Sequence, residues 1–241
     1  MNEEKHIASA FDRDLEAIQA LIMKMGGLVE ENLTNAARAL EDRDTELAEK
    51  VRAADKVIDK LEEEVNEEAA RLIALRSPTA GDLRTVLTVM KIATNLERCG
   101  DYAKNLAKRT GVLAEMNPIE GAGASLRRMA REVEEMLRLA LDAYLRRDAE
   151  LAETVRHRDL DVDQMYNGLF REFLTFMMED PRHITACMHL HFIAKNIERM
   201  GDHATSIAEQ VIYLVTGELP EEPRPKGDLT SRQDLGPELE Q

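Results

Sequence analysis

The chain of 241 residues contains no tryptophan, and phenylalanine and tyrosine together make up only 4% of it. Strands of β-sandwiches favour aromatic and β-branched residues, so this composition argues against an all-β domain. The abundant residues are Ala, Leu, Glu, Arg and Met, which are good helix formers. The sequence therefore predicts an all-α protein, long enough for one large domain or two small ones.

The sequence also has no net positive charge, no long apolar run and no CxxC pair of cysteines. The formal net charge is −15 at pH 7, which argues against binding to the nucleic-acid backbone. No stretch approaches 18 consecutive apolar residues, and the amino-terminal MNEEKHIASAFDRD lacks the apolar core of a secretory signal. Cys99 and Cys187 form neither a CxxC pair nor a disulfide framework. Together these absences predict a cytosolic, reduced location.

Two heptapeptides, NLERCGD at residues 95–101 and NIERMGD at residues 196–202, nearly repeat each other. The likeness extends well beyond them. A shift of 104 residues places DTELAEKVR (44–52) on DAELAETVR (148–156), with seven of nine positions identical, and past the next turn the shift becomes 101. A repeat of about a hundred residues indicates a duplicated domain and not a solenoid.

Each repeat has the pattern of three helices joined by short connections, which favours antiparallel neighbours. In the first repeat, Pro78 and Gly81 separate the second helix from the third. The predicted fold is two tandem three-helix bundles related by internal duplication. The predicted organisation is a first repeat over residues 1–116, a linker over 117–124, a second repeat over 125–217 and an acidic disordered tail over 218–241.

The repeated heptapeptides place two carboxylates four residues apart, on one helix face. The preceding helix of each repeat carries another such pair, so antiparallel packing would bring four carboxylates together. The candidate metal ligands are Asp55, Asp59, Glu97 and Asp101 in the first repeat, and Asp159, Asp163, Glu198 and Asp202 in the second. Clustered carboxylates repel one another and favour cations, and all-oxygen ligand sets suit Mg²⁺, Mn²⁺, Ca²⁺ or iron.

Other interpretations of the heptapeptide stay open. Since 33% of the residues are charged, acidic pairs at this spacing also arise by chance on solvated faces. Arginines of another helix would also neutralise the acids. Gly100 and Gly201 each cost about 1 kcal/mol inside a helix, which indicates that a neighbouring helix or a bound ion approaches the backbone there. Neither heptapeptide helix contains an ExxH pair, and no P-loop, GxSxG or nucleophile with a base is present, so the sequence predicts no catalytic residue and no organic cofactor.

The two units, each ending in N-x-E-R-x-G-D, resemble the PhoU family of phosphate-uptake regulators. SPTAGDLR (77–84) before the third helix and DKVIDKLE (55–62) in the second are similar to patterns of that family. The likeness covers residues 6 to about 217, although the second repeat has EDPRHIT (179–185) in place of AGDLR. The resemblance implies a pair of three-helix bundles, and it implies that the eight candidate ligands bind multinuclear clusters of Mg, Mn or Fe.

The resemblance also implies a function. By this resemblance, the protein is expected to be a cytoplasmic, non-enzymatic negative regulator of phosphate uptake and of the phosphate-starvation genes. The expected partners are the ATPase subunit of the phosphate ABC transporter, a sensor histidine kinase and a second copy of the chain in a homodimer. Association with the inner membrane is expected only through these partners. Alternatives from other classes are a metal-binding or ion-storage bundle, a carboxylate metalloenzyme, and a structural adaptor that needs no metal.

Overall fold

A computed structural model describes residues 2–221 and Gly227, with side chains from Phe11 onward. Within these residues the chain forms six long α-helices and one 3₁₀ turn at Pro181–His183, without a β-strand. The helices are α1 (Asn2–Asp42), α2 (Thr45–Arg76), α3 (Ala80–Ala114), α4 (Ala122–Arg146), α5 (Ala149–Glu179) and α6 (Ile184–Thr216). The all-α fold predicted from composition is confirmed.

Matching aspartates begin the second helix of each repeat. The Asp44 carboxylate accepts a hydrogen bond of 2.9 Å from the Leu47 amide, and Asp148 accepts one of 3.0 Å from Leu151. Each therefore satisfies one of the amides that a helix start leaves without an intrahelical partner. The residue before each aspartate has a left-handed backbone, so the chain turns at the same point in both repeats. The repeated sequence thus encodes a repeated turn.

The two three-helix bundles, α1–α3 and α4–α6, pack against each other. α1 lies against α4, and α3 lies against α6. α3 and α6 run antiparallel. Nη1 of Arg109, near the end of α3, lies 3.1 Å from Nδ1 of His189, near the start of α6. At the other end of the contact, Arg84, near the start of α3, lies over the ring of Tyr213, near the end of α6. Buried apolar side chains of both repeats form one continuous cluster. The tandem bundles predicted from the sequence are present, and they share a core.

The connections and ends of the chain complete the description. Residues 115–121 join α3 to α4 and overlap the predicted linker. Cys99 and Cys187 are buried free thiols. Among the described residues, no helix combines the length and apolar character needed to cross a bilayer. Of the predicted tail, residues 222–226 and 228–241 lie outside the described part of the chain.

Candidate functional site

The two heptapeptides meet each other at the crossing of α3 and α6. The thiol of Cys99 donates to the carbonyl oxygen of Met200, the corresponding residue of the other heptapeptide, at 3.9 Å. Nearby, Nδ1 of His203 lies 2.8 Å from the side-chain oxygen of Asn95. The heptapeptides therefore lie at the centre of the contact between the repeats. Sequence reasoning missed this contact, since the internal likeness shows that two elements correspond but not that they touch.

The glycines of the heptapeptides admit the neighbouring helix of their own bundle. A Cβ atom on Gly100 would lie 3.1 Å from the Cδ1 of Ile58 and 3.3 Å from Oδ1 of Asp55. A Cβ atom on Gly201 would lie 3.4 Å from Oδ1 of Asp159. Of the two explanations that the sequence left open, close approach of a neighbouring helix is what the geometry shows at Gly100, whereas a Cβ atom on Gly201 would be at an ordinary contact distance.

In the first repeat, a lysine side chain lies among the predicted carboxylates. Asp55 is almost completely buried, and its Oδ2 lies 2.5 Å from Nζ of Lys104. The same ammonium lies 3.2 Å from Oδ1 of Asp101. Asp59 and Glu97 are partly exposed. The packing of α2 against α3 thus brings Asp55 and Asp101 to a shared cation supplied by the protein itself.

Burial sets the protonation behaviour of Asp55. Loss of hydration raises the pKa of its carboxyl above the ordinary value, and the hydrogen bond from Lys104 opposes this increase. The hydrogen bond to Asp55 in turn raises the pKa of Lys104. The Oδ1 atom of Asp55 is buried and has no hydrogen-bond partner. An oxygen in this state favours a proton or a cation.

The pKa of Glu97 is raised as well, and burial is again the main cause. Burial raises the pKa of Glu97, and the negative charge of Asp101, four residues along the same helix, adds to the increase. Arg98 opposes it, with Nε 3.5 Å from Oε2 of Glu97, but the Arg98 side chain is 56% exposed. Pairing with arginine inside the heptapeptide therefore neutralises Glu97 only weakly.

The second repeat arranges its carboxylates differently. Three of its four predicted ligands are buried, namely Asp159, Asp163 and Glu198. Nζ of Lys195 lies 2.9 Å from Oε1 of Glu198, and the backbone amide of Gly227 donates to Oδ2 of Asp163 at 2.6 Å. Asp202 is partly exposed. Here two separate groups, an ammonium and a backbone amide, compensate two different acids.

Each repeat carries one lysine among its acids, at positions that do not correspond. With the shift of 101 residues, Lys104 corresponds to Thr205 and Lys195 corresponds to Thr94. Sequence reasoning missed both lysines. A signal was available, because Lys104 and Lys195 each lie three residues from an acid of the heptapeptide and share its helix face.

This arrangement bears directly on whether the acids fit a metal ion. Among residues 2–221 and Gly227, no three side chains of Asp, Glu, His or Cys lie close enough together to hold one. The sequence-predicted sets of four are therefore brought to the same bundle faces without converging on a point. A cation between Asp55 and Asp101 would take the place of the Lys104 ammonium, so the eight candidate ligands stay a prediction.

Comparison with known proteins identifies the family. The family model described as "PhoU domain" matches residues 22–110 and 126–211, once in each repeat. A phosphate-specific transport system accessory protein PhoU homolog of Rhizobium meliloti is 46% identical over 233 residues, covering 94% of this chain and 95% of that protein. The homolog of the same description from Zymomonas mobilis is 49% identical over 231 residues, covering 95% of this chain and 97% of the homolog.

Solved structures show the same fold. The crystal structure of PhoU from Pseudomonas aeruginosa superposes with a TM-score of 0.83 at 40% identity, covering 86% of this chain and 100% of that chain. The phosphate transport system regulatory protein PhoU from Streptococcus pneumoniae superposes with a TM-score of 0.81 at 30% identity, covering 88% of this chain and 100% of that one.

Proposed function

Because this chain belongs to the PhoU family, we propose that it is a non-enzymatic regulator that restrains phosphate uptake and the phosphate-starvation genes when phosphate is ample. The observation that carries the proposal is the identity of 46% and 49%, over nearly the whole length, to proteins named as accessory proteins of the phosphate-specific transport system. The name "regulatory protein" of the Streptococcus pneumoniae relative supports the same reading.

We propose that the regulator acts by contact with two partners. One is the ATPase subunit of the phosphate ABC transporter, and the other is the sensor histidine kinase of the phosphate response. In this scheme the protein is cytoplasmic, functions as a homodimer and reaches the inner membrane through its partners. The support is the family, since a protein accessory to a transporter has to contact it or its signalling apparatus.

We further propose that the acidic faces bind a hard cation such as Mg²⁺, Mn²⁺ or an iron ion. The raised pKa of Asp55, caused by burial, and its buried Oδ1 without a hydrogen-bond partner support a cation in the first repeat. The residues that would hold it are Asp55, Asp59, Glu97 and Asp101, with Asp159, Asp163, Glu198 and Asp202 as the counterparts in the second repeat.

One observation favours a second candidate, a regulator that needs no metal. The Lys104 ammonium already compensates Asp55 and Asp101, so the first repeat is stable without an added ion in this alternative. Titration of Mn²⁺ or Mg²⁺ into the chelated protein separates the two. A cation that binds only the folded state raises the melting temperature with concentration. A melting temperature that stays flat to millimolar ion, with no metal found by elemental analysis, supports the metal-free regulator.

The regulatory proposal itself is tested in cells. Deletion of the gene should activate a phosphate-starvation reporter in ample phosphate, and the full-length chain should restore repression. Tagged protein purified from phosphate-replete cells should carry the transporter ATPase and the histidine kinase with it. A deletion strain whose reporter stays silent in ample phosphate would show that this chain does not restrain the response.

A further inference from the structure

Two neighbouring helix segments in the contact between the repeats contain no acidic residue. Residues 102–114 of α3 and 184–197 of α6 lack both Asp and Glu, although acids outnumber Lys and Arg by 47 to 32 in the whole chain. The segments lie side by side, because Nη1 of Arg109 is 3.1 Å from Nδ1 of His189. We call these two segments the acid-free strip. Their charged residues are all cations, namely Lys104, Lys108, Arg109 and Lys195, so the strip is a region of local positive charge.

One face of α6 within this strip is apolar and exposed. Ile184, Met188 and Phe192 follow one another at intervals of four residues, so they share one helix face. Their exposed fractions are 46%, 41% and 46%, which makes them a patch of the kind that marks an interaction site. The guanidinium carbon of Arg109 lies 4.4 Å from the centre of the Phe192 ring, so cation–π attraction holds the ring in place. The patch extends about 12 Å along α6, the length of two helical turns.

The corresponding surface of the first repeat has a different character. At the shift of 101 residues, Lys91 corresponds to Phe192 and Gln210 corresponds to Arg109. Lys91 and Gln210 line one groove together, just as Phe192 and Arg109 contact each other, so the correspondence also holds in space. The other side chains of that groove are mostly polar. Of the two corresponding surfaces, the one at the start of α6 therefore carries the exposed ring and the arginine.

The charge of the strip indicates what binds to it. Phe, Met and Arg are enriched in protein–protein interfaces, and a few such residues supply most of the binding energy. A second copy of the chain, docked through the same face by a twofold axis, would set the cations of two strips against each other. A different protein that carries carboxylates beside an apolar helix face would instead be attracted to Arg109. Charge complementarity therefore favours an acidic partner over a second copy.

We propose that the acid-free strip is the docking surface for an acidic amphipathic helix of a partner protein. That helix packs its apolar face on Ile184, Met188 and Phe192 and places a carboxylate against the Arg109 guanidinium. The partner is the ATPase subunit of the phosphate transporter, a choice that rests on the proposed function. The two segments of the strip end beside Asp101 and Glu198, so a helix bound there lies next to acids of both heptapeptides.

Exchange of two residues for their first-repeat counterparts tests the surface without changing the net charge. Phe192→Lys with Arg109→Gln should raise the Kd for the purified ATPase subunit at least about tenfold, measured with the full-length protein by bio-layer interferometry. The matched control, Leu75→Lys with Arg71→Gln, changes the same kinds of residue at exposed positions of α2 and should alter Kd less than about twofold.

The outcomes separate the surface from the partner. If the double variant keeps native helicity and binds as tightly as the wild type, the docking surface is wrong and the proposed function still stands. If the wild type does not bind the ATPase subunit, the partner is wrong in both proposals. A wild-type dimer that becomes a monomer in the double variant, measured by light scattering, would assign the strip to a second copy. Binding to phosphatidylglycerol vesicles that the double variant loses would assign it to a membrane.

Cross-linking and salt dependence test the chemistry of the bound helix. With the photoreactive p-benzoylphenylalanine in place of Met188, the full-length protein should join to a peptide of the ATPase subunit that carries Asp or Glu beside apolar residues four positions apart. The Kd of the wild type should rise between about 50 and about 500 mM salt, and Arg109→Gln should reduce this dependence. A cross-linked peptide without acidic residues, or a salt dependence that Arg109→Gln leaves unchanged, would overturn the proposed charge complementarity.

Discussion

The ammonium of Lys104 lies between the carboxylates of Asp55 and Asp101, 2.5 Å from the first and 3.2 Å from the second. It joins α2 to α3 at the point where a buried carboxylate would otherwise lack a counter-charge. In the second repeat the corresponding residue is Thr205, whose hydroxyl donates to the carbonyl oxygen of Gly201. The first repeat thus depends on this one cation in a way that the second does not.

Replacing Lys104 by the residue of the other repeat tests this dependence. Lys104→Thr should destabilise the protein by about 1–3 kcal/mol, because Asp55 is left buried and charged without its partner. This loss of stability is smaller than the loss expected for a fully buried ion pair, because the Lys104 side chain is 41% exposed. Chemical denaturation at pH 7.5 in the presence of a chelator measures the change.

A second substitution distinguishes a lost ion pair from lost packing. Adding Asp55→Asn removes the buried charge, so the double variant should recover at least half of the stability lost in Lys104→Thr. Lys60→Thr, on an exposed position of α2, is the control and should change stability by less than about 0.5 kcal/mol. A double variant that is no more stable than Lys104→Thr would mean that the lysine stem and not its charge matters.

The pKa of Glu97 predicts a stability difference that depends on pH. Burial and the charge of Asp101 raise this pKa above 4.5, so the ionised Glu97 costs stability at neutral pH. That cost disappears as the pH falls through the raised folded-state value toward 4.5. Chelated Glu97→Gln should therefore unfold at a higher temperature than the wild type at pH 7.5, and the difference should shrink as the pH approaches 4.5. A difference that is constant over this range would contradict the assignment.

The lowered pKa of His203 predicts a change of stability with pH of the opposite sign, namely a loss of stability as the pH falls. Burial, with the charges of Arg98 and Arg199, lowers its pKa below 6.5, so the folded protein resists protonation of this imidazole. Its stability contribution is complete above pH 6.5 and is lost as the pH falls through the lowered folded-state value. Between pH 7 and pH 5, His203→Asn should lose less stability than the wild type does. Chemical denaturation of the two proteins between pH 7 and pH 5 measures the difference.

The sequence predicted the fold more completely than it predicted the candidate site. Apolar spacing and the duplication are properties of each helix, and they predicted six helices in two bundles. The buried stripe of α3 includes both Val86 and Leu106, and it is wide enough to serve two neighbouring helices. Periodicity measures the width of such a stripe but does not say which helix covers it, so the shared core was not predictable. Lys104 was missed because a lysine on a helix is ordinarily solvated, and only the depth of Asp55 makes it a counter-ion.

The glycines of the heptapeptides give a prediction that separates helix propensity from packing. Alanine is favoured over glycine in a helix by about 0.5–1 kcal/mol. At Gly201 the nearest atom, Oδ1 of Asp159, lies at an ordinary contact distance from the new Cβ, so Gly201→Ala should gain most of that amount. At Gly100 the Cδ1 of Ile58 would lie 3.1 Å away and has to shift, so Gly100→Ala should gain less or lose stability. Equal melting temperatures for the two variants would show that the closer packing at Gly100 has no energetic consequence.

The last prediction connects the acidic heptapeptide to regulation. Glu97→Gln with Asp101→Asn removes two charges and keeps the shape of both side chains. The fold should survive, because Asp55 and Lys104 still pair. If the acidic face serves the proposed function, metal content should fall and the phosphate-starvation reporter should become active in ample phosphate. Reporter expression in the deletion strain carrying each variant measures the effect.

The second repeat tests whether its acidic face acts in the same direction. Glu198→Gln with Asp202→Asn should also activate the reporter, because both heptapeptides lie in corresponding positions of one duplicated unit. Its effect should be smaller than that of the first pair, since Lys195 already compensates Glu198 and the Gly227 amide donates to the neighbouring Asp163.

A matched surface pair separates a specific site from bulk charge. Glu63→Gln with Glu67→Gln has the same spacing and the same loss of charge, on two positions of α2 that are exposed. This control should leave the reporter silent in ample phosphate. Activation of the reporter by the control to the level of the heptapeptide variants would assign the effect to net charge. If neither heptapeptide variant loses metal or regulation, the repeated motif serves packing and not metal binding. It then packs α3 on α6 and each glycine on its neighbouring helix, and these contacts do not depend on the four substituted carboxylates.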